Sequence, residues 1–167
     1  MNTELKFRIA ARALVVQDRR LLFVSDNGDY WYLPGGRVEG KENLIECVER
    51  EVYEETGLIV KAENLLHVLE CFDIEDHLHK IHFYFQTTLL NGDLSETWQD
   101  EGGGVQFRRY FDLTEIRQNP KILPRFLANG DWCKPVFEYT KVYQGSVFMR
   151  GFEMLDALEH SFGATNH

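Results

Sequence analysis

Three glutamates in the first third of the chain have the spacing of a divalent-cation site. Glu51, Glu54 and Glu55 fall in a stretch, residues 43–56, that contains neither glycine nor proline and is therefore expected to be helical. At about 100° per residue, the three carboxylates share an arc of roughly 100°, and Glu55 borders the apolar, core-facing stripe. Clustered carboxylates repel one another and lose hydration on burial. Hard oxygen ligands suit Mg²⁺, so the pattern predicts a metal site that also takes phosphate oxygens.

Glycines on both sides of this stretch define the element that carries the glutamates. Gly36 and Gly40 precede it and are poor helix formers, whereas Gly57 suits the left-handed conformation that ends a helix. We therefore expect the end of a strand, a tight glycine loop and then a helix.

One arginine lies at helical spacing from two of the glutamates in this helix. Arg50 is four residues from both Glu46 and Glu54, so we expect it to pair with both and to orient Glu54. We interpret Glu46 and Glu49 as ordinary charged residues of a solvent-exposed helix face.

The segment from Gly36 to Leu58 resembles the signature box of the Nudix hydrolases at every specified position, and the neighbouring Leu33-Pro34-Gly35-Gly36 and Arg37-Val38-Glu39 also resemble family sequences. The resemblance implies an α+β fold, an α/β/α sandwich with a central mixed β-sheet between helices. It also implies Mg²⁺-dependent or Mn²⁺-dependent hydrolysis of a nucleoside diphosphate linked to another group X.

The resemblance further assigns roles to residues of the box. It implies that Glu51, Glu54 and Glu55 are metal ligands, that Gly36 offers its backbone carbonyl, and that Arg50 is the orienting partner. The moiety X stays open between nucleoside triphosphates, nucleotide sugars and related compounds. The proline that ADP-ribose hydrolases tend to carry about fifteen residues beyond the box does not occur between Leu58 and Pro120.

Hydrolysis of a pyrophosphate needs a base that takes a proton from the attacking water. Glu54 is our first choice, but in the Nudix family the base can also come from a distant loop, for which Glu101 is the candidate. Glu101 lies in a polar, glycine-rich stretch, residues 91–104, that is typical of either a mobile active-site loop or a solvated linker. Arg37, which follows Gly35 and Gly36, is the favoured phosphate-binding side chain, ahead of Arg8 and Arg12.

Composition limits the remaining possibilities. With 167 residues and 44% hydrophobic content, residues 1–167 are expected to form a single domain, with residues 133–167 as a C-terminal extension of strand and helix. The net charge of −9 argues against general binding to nucleic-acid backbones. The chain has neither a signal-peptide pattern nor a long apolar stretch, so we expect no membrane association and a cytoplasmic location. The three cysteines are expected to be reduced, and Cys47 to be a small buried side chain.

Alternating apolar residues predict the other elements. Strands are expected at residues 7–16, 21–25, 65–72, 78–89 and 105–111, and one or two more within 136–149. A short helix over 122–128 would cover the sheet face opposite the glutamate helix, and an amphipathic helix over 152–162 could serve a homodimer interface.

Two further groups of residues have a functional and a structural interpretation. His77, His79 and His82 could bind a second metal, but histidines at a half-exposed strand end are more common. The aromatic residues of segments 30–32 and 83–85 could stack on a nucleobase, but such residues usually fill cores.

Two other functional classes compete with the hydrolase. One is a catalytically silent nucleotide-binding or sensor module, and the other is an enzyme similar to isopentenyl diphosphate isomerase. None of the three cysteines lies in a motif resembling that isomerase, and neither a decayed box nor a DNA-binding segment is seen.

Overall fold

One mixed β-sheet forms the centre of the computed structural model, which describes residues 4–135, 141–151 and 153–155. Within these residues the elements are, in chain order, β1 (Lys6–Gln17), β2 (Arg20–Ser25), β3 (Gly35–Arg37), α1 (Leu44–Thr56), β4 (Ile59–Asp73), β5 (Leu78–Asn91), β6 (Phe107–Phe111), α2 (Leu113–Gln118), two 3₁₀ turns (Arg125–Asn129 and Asp131–Cys133), β7 (Tyr143–Arg150) and β8 (Glu153–Leu155). The strand order is β6-β2-β1-β5-β4-β7-β8, and β3 pairs with β1. Strands β1 and β5, and β4 and β7, are parallel, and the other pairs are antiparallel.

Helix α1 begins and ends through local sequence signals. The side chain of Asn43 accepts a hydrogen bond from the backbone N–H of Glu46, and the Glu46 carboxylate accepts one from Asn43 in return. Gly57 ends the helix with a φ of 75°. This reciprocal capping box stabilises the first turn and fixes where the helix starts.

Two hydrophobic layers cover opposite faces of the sheet. On one face, Val48 and Val52 of α1 pack on Ala11, Ala13 and other apolar residues. Because alanine side chains are small, α1 can lie close to β1. On the other face, α2 and the 3₁₀ turns cover a second cluster that includes Phe23, Tyr84, Leu127 and Trp132. The predicted mixed sheet between helices is therefore confirmed.

The structure corrects several predicted elements. The segment predicted as a helix over 122–128 does cover the face opposite α1, but it is a 3₁₀ turn that begins after Pro124. Helix α2, which the sequence analysis missed, has six residues and a capping box formed by Asp112 and Glu115.

The predicted C-terminal helix is wrong where the structure describes it, whereas a strand expected within residues 136–149 is found as β7. Glu153–Leu155, predicted to be helical, form β8, which pairs antiparallel with β7 after a turn at Gly151. Residues 152 and 156–162 of that predicted helix, and residues 136–140 of the predicted strand segment, lie outside the described residues. None of the helices that the structure describes combines the length and apolar character that crossing a bilayer requires.

Candidate metal and substrate site

Glu55 is the most buried of the three box glutamates. Its side chain lies under the glycine loop, the residue is 7% exposed, and its Oε2 accepts a hydrogen bond from the backbone N–H of Gly35 at 2.9 Å. Burial raises the pKa of Glu55 to about 8; Arg12 and the Gly35 N–H oppose this rise, whereas Glu51 and Asp100 add to it. This carboxyl group therefore binds a proton near neutral pH unless a cation lies beside it.

Glu51 contacts the glycine loop directly. A Cβ atom on Gly36 would lie 2.5 Å from the carboxyl carbon of Glu51, so a side chain there would displace the Glu51 carboxylate. Burial raises the pKa of Glu51, against the lowering effect of Arg50. The structure thus places Gly36 beside Glu51 and Gly35 beside Glu55. The glycine loop and helix α1 therefore meet at these two carboxylates.

Arg50 binds three carboxylates at once. Its guanidinium group donates to Glu54 at 2.9 Å, to Glu51 at 2.8 Å, and to both oxygens of Glu42 at 2.6 and 2.9 Å. The hydrogen bond from Arg50 lowers the pKa of Glu42 to about 2. The predicted pairing of Arg50 with Glu54 is observed, so Arg50 can hold the exposed Glu54 carboxylate in one orientation.

The predicted pairing of Arg50 with Glu46 is wrong. Glu46 instead completes the helix cap, and Glu42, in the loop before the helix, occupies the corresponding place on Arg50. Glu49 is also more than a solvated charge, because its carboxylate accepts a hydrogen bond from the backbone N–H of Ala62 in β4 at 2.9 Å. The capping role of Glu46 could have been inferred from its spacing to Asn43.

The donor set of the box fits a hard divalent cation after a local rearrangement. Across the described residues, no group of three or more His, Cys, Asp or Glu side chains is arranged to hold a metal ion. In this structure Glu51 and Glu54 instead make ion pairs with the guanidinium of Arg50, at 2.8 and 2.9 Å. Two desolvated carboxylates with raised pKa values, Glu51 and Glu55, nevertheless lie beside the glycine loop, and a cation would offset their burial.

Trp98 anchors the loop that carries Glu101 to the end of α1. Its indole N–H donates to the backbone carbonyl of Glu54 at 2.8 Å, and its ring packs edge-on against Tyr53. Gly57 leaves the space for the ring, because a Cβ there would lie 2.7 Å from it. This role of Trp98 has no signal in the sequence, since a contact across 44 residues leaves no local pattern.

The anchored loop brings two acidic residues to the same cavity as the box glutamates. Glu101 is exposed, and both Glu101 and Asp100 line the cavity together with Glu54. Asp100 was also missed; its carboxylate accepts a hydrogen bond from the backbone N–H of Val105 at 3.0 Å, which folds the loop back. Glu101 therefore faces the same cavity as the box glutamates.

The cavity, of about 780 Å³, extends from these acidic residues across the sheet. Arg37 lines it, but its side chain is exposed and lies 3.6 Å from Glu39. Arg12 is more firmly held, since it donates to the backbone carbonyls of Leu33 at 3.1 Å and of Gly35 at 2.7 Å. Arg12 therefore supports the glycine loop as well as facing the cavity, a role that the sequence did not indicate.

The three histidines do not come together. The Nε2 atom of His79 forms a 2.6 Å hydrogen bond with a carboxylate oxygen of Glu70, and its ring stacks on Phe72. His77 lies in the turn before β5, with a φ of 49°. His82 lines the cavity.

The other side chains singled out in the sequence have mostly structural positions. Of the aromatic candidates, Tyr84 and Phe85 are buried in the two cores and Tyr32 lines the cavity. Cys47 is fully buried, as predicted, and burial raises the pKa of its thiol to about 12.

The shifted pKa of Glu55 predicts how the stability of the metal-free protein depends on pH. The folded pKa of about 8 lies above the ordinary value of 4.5, so the folded state binds more protons between these values. The free energy of unfolding in EDTA should therefore fall as pH rises from about 5 to about 8, by up to roughly 1.4 kcal/mol per pH unit, and then level off. Urea denaturation at a series of pH values measures this slope. The Glu55→Gln variant should lack it, and an equal slope in that variant would contradict the assignment.

Comparison with known proteins supports the family resemblance. The family model of the NUDIX domain matches residues 6–129. An ADP-ribose pyrophosphatase of Methanocaldococcus jannaschii is 30% identical over 112 residues, which cover 65% of this chain and 63% of that protein. Diphosphoinositol polyphosphate phosphohydrolase 2 of Rattus norvegicus is 32% identical over 101 residues, which cover 59% of this chain and 53% of that protein. The chain thus matches a little more than half of the length of each relative.

A solved structure agrees at the level of the fold. The crystal structure of a UDP-X diphosphatase is 23% identical, with a TM-score of 0.66 over 87% of this chain and 69% of that chain. Because the domain model covers most of the sequence and the box glutamates line one cavity in the structure, this chain belongs to the NUDIX family.

Proposed function

We propose that this chain is a pyrophosphohydrolase, dependent on Mg²⁺ or Mn²⁺, that cleaves a nucleoside diphosphate linked to another moiety X. The observation that carries the proposal is the junction of α1 with the glycine loop, where Glu51, Glu54 and Glu55 line one end of a substrate-sized cavity. The names of the relatives, a pyrophosphatase and a phosphohydrolase, agree with this activity.

In this proposal the cation is held by Glu51, Glu54, Glu55 and the backbone carbonyl of Gly36. A bound divalent cation would neutralise charge on the phosphoryl oxygens. Gly35 and Gly36 allow the loop to pack closely on β1 and on Glu51, because a Cβ atom at either position would overlap one of them. The loop backbone is thereby held beside the proposed metal ligands. Arg37, at the mouth of the cavity, is available to bind a phosphate oxygen.

Glu54 is the proposed base. Its side chain is 47% exposed, so it can reach a water molecule in the cavity, and Arg50 restricts its orientation. Glu101, on the loop anchored by Trp98, is the alternative base within the same proposal.

The structure disfavours an isomerase-like mechanism that uses the box cysteine. Cys47 is fully buried, its Sγ lies 3.5 Å from the carbonyl oxygen of Gly36, and burial raises the pKa of its thiol. Such a thiol can neither reach substrate nor readily lose its proton.

A substrate panel tests the proposal. Purified protein with Mg²⁺ is incubated with nucleoside triphosphates, nucleotide sugars, ADP-ribose and dinucleoside polyphosphates, and inorganic phosphate is measured with and without a coupled phosphatase. We expect at least one compound to yield two phosphate monoesters, or inorganic diphosphate and a nucleoside monophosphate. Binding of these compounds without turnover would instead favour the silent sensor module. The cytoplasmic location and homodimer remain predictions.

A further inference from the structure

The cavity has two ends of opposite charge. The end at α1 is acidic, whereas Arg8, Arg12 and Lys80 line its floor on the adjacent strands β1 and β5. In the parallel pairing of these strands, Arg8 lies beside Lys80, and Arg12 lies beside Tyr84. The metal site explains the acidic end but leaves the basic floor without a role.

The basic floor extends well beyond the reach of one diphosphate group. Arg12 is fixed beside the glycine loop by its hydrogen bond to Gly35. Arg8 is four residues away on the same strand, which corresponds to about 13 Å. Within the described residues no carboxylate lies within ion-pair distance of Arg8, while Lys80 has Asp73 at 3.5 Å. Arg8 is therefore a positively charged side chain, far from the proposed metal ligands, with no carboxylate partner among the described residues.

His82 lies in the middle of this floor, in register with Ala10 on one side and Leu69 on the other. Its ring stacks on that of Tyr84, with 6.1 Å between the ring centroids. Its Nδ1 atom is buried and, within the described residues, forms no hydrogen bond. Burial, together with the nearby positive charges of Arg12 and Lys80, lowers the pKa of His82 to about 3, so the ring is neutral.

The tautomer of a neutral His82 follows from this environment. One ring nitrogen carries the proton and the other accepts. Because buried N–H groups without a partner are rarer in proteins than unsatisfied acceptors, we assign the proton to Nε2 and leave the buried Nδ1 as the acceptor. His82 then adds a neutral donor to a floor that otherwise offers guanidinium and ammonium donors.

We propose that this floor binds a phosphate monoester of the substrate that is separate from the cleaved diphosphate, with Arg8 and His82 as specificity-determining residues. The inference rests on the proposed hydrolase function and narrows its substrate class to diphosphates that carry a further phosphate. Arg8, Arg12, Lys80 and His82 supply donors to this part of the cavity, among apolar neighbours such as Leu69. A doubly charged phosphate accepts hydrogen bonds from such donors.

Calorimetric titration of ligands in EDTA, where no hydrolysis is expected, tests whether the floor binds the additional phosphate. Coenzyme A and dephospho-coenzyme A differ by one phosphate monoester, as do ADP-ribose 2′-phosphate and ADP-ribose. We expect the extra phosphate to increase affinity at least about ten-fold in one of the pairs. The preference should disappear in Arg8→Gln and in His82→Leu, and persist in Arg20→Gln, which changes an exposed arginine of β2 outside the cavity.

Failure of the phosphate-binding inference can be distinguished from failure of the hydrolase proposal. Equal affinities within both pairs, or a preference that survives in both Arg8→Gln and His82→Leu, would overturn the inference even if the protein hydrolyses diphosphates. Absence of hydrolysis in Mg²⁺ with a retained preference in EDTA would instead overturn the hydrolase proposal. Arg8 is exposed, so its replacement should leave the fold intact, which circular dichroism checks.

Discussion

Replacement of Glu54 by glutamine is expected to lower kcat by about 100- to 10,000-fold, the usual contribution of a positioned general base. The amide has nearly the same shape, and its oxygen can still accept the hydrogen bond that Arg50 donates at 2.9 Å. The change should therefore remove the proton acceptor and one negative charge while preserving the fold. Phosphate release from the best substrate of the panel, at saturating Mg²⁺, measures the effect.

Glu46→Gln is the matched control for this variant. Glu46 lies on the same helix, is exposed, and caps the helix N-terminus through Asn43. Glutamine supports the same capping box, so the charge change is equal and the helix should remain intact. Activity of this control should stay close to that of the unmodified protein.

Glu101→Gln decides between the two candidate bases. Unchanged phosphate release in Glu54→Gln, together with a large loss in Glu101→Gln, would transfer the role to the loop anchored by Trp98. A large loss in both would indicate that the two carboxylates act in one proton-transfer path. Full activity in both variants would remove the general-base mechanism proposed here.

Removal of divalent cations is the second change expected to have a very large effect. Dialysis against EDTA should lower hydrolysis by at least about 1,000-fold, since a metal contributes several kcal/mol to phosphoryl transfer. Mg²⁺ or Mn²⁺ should restore activity on addition. The protein should stay folded in EDTA, because Arg50 makes ion pairs with Glu42, Glu51 and Glu54 and so reduces their repulsion without a metal.

Calorimetry separates metal binding from activity. Titration of Mg²⁺ into the metal-free protein should give a binding signal that is weakened in Glu51→Gln, with Glu46→Gln again as the control. Persistent hydrolysis in EDTA, or equal Mg²⁺ affinity in the Glu51 variant, would contradict the assigned metal site.

Local signals in the sequence were sufficient to predict the helix that carries the three glutamates and Arg50. Gly57, the spacing of the three glutamates and the pairing of Arg50 with Glu54 all depend on residues within one or two helical turns, where helix geometry is known in advance. The helix boundaries and the position of the glycine loop follow from the same short-range rules.

Contacts between distant segments could not be predicted in the same way. The hydrogen bond from Gly35 to Glu55 joins residues on two elements, and Glu42 reaches Arg50 only because the intervening loop folds back. Helix α2 is too short to show a helical period, and its capping residues were overlooked. The β8 residues were assigned to a helix because their apolar spacing suited one, whereas backbone pairing with β7 decided the outcome.

The triple contact of Arg50 has a consequence for the catalytic cycle. Because a permanently charged side chain already binds Glu51 and Glu54, these carboxylates keep a fixed orientation without a metal. Under the proposed mechanism, loss of the cation after hydrolysis would therefore leave the ligand side chains ordered for the next cation.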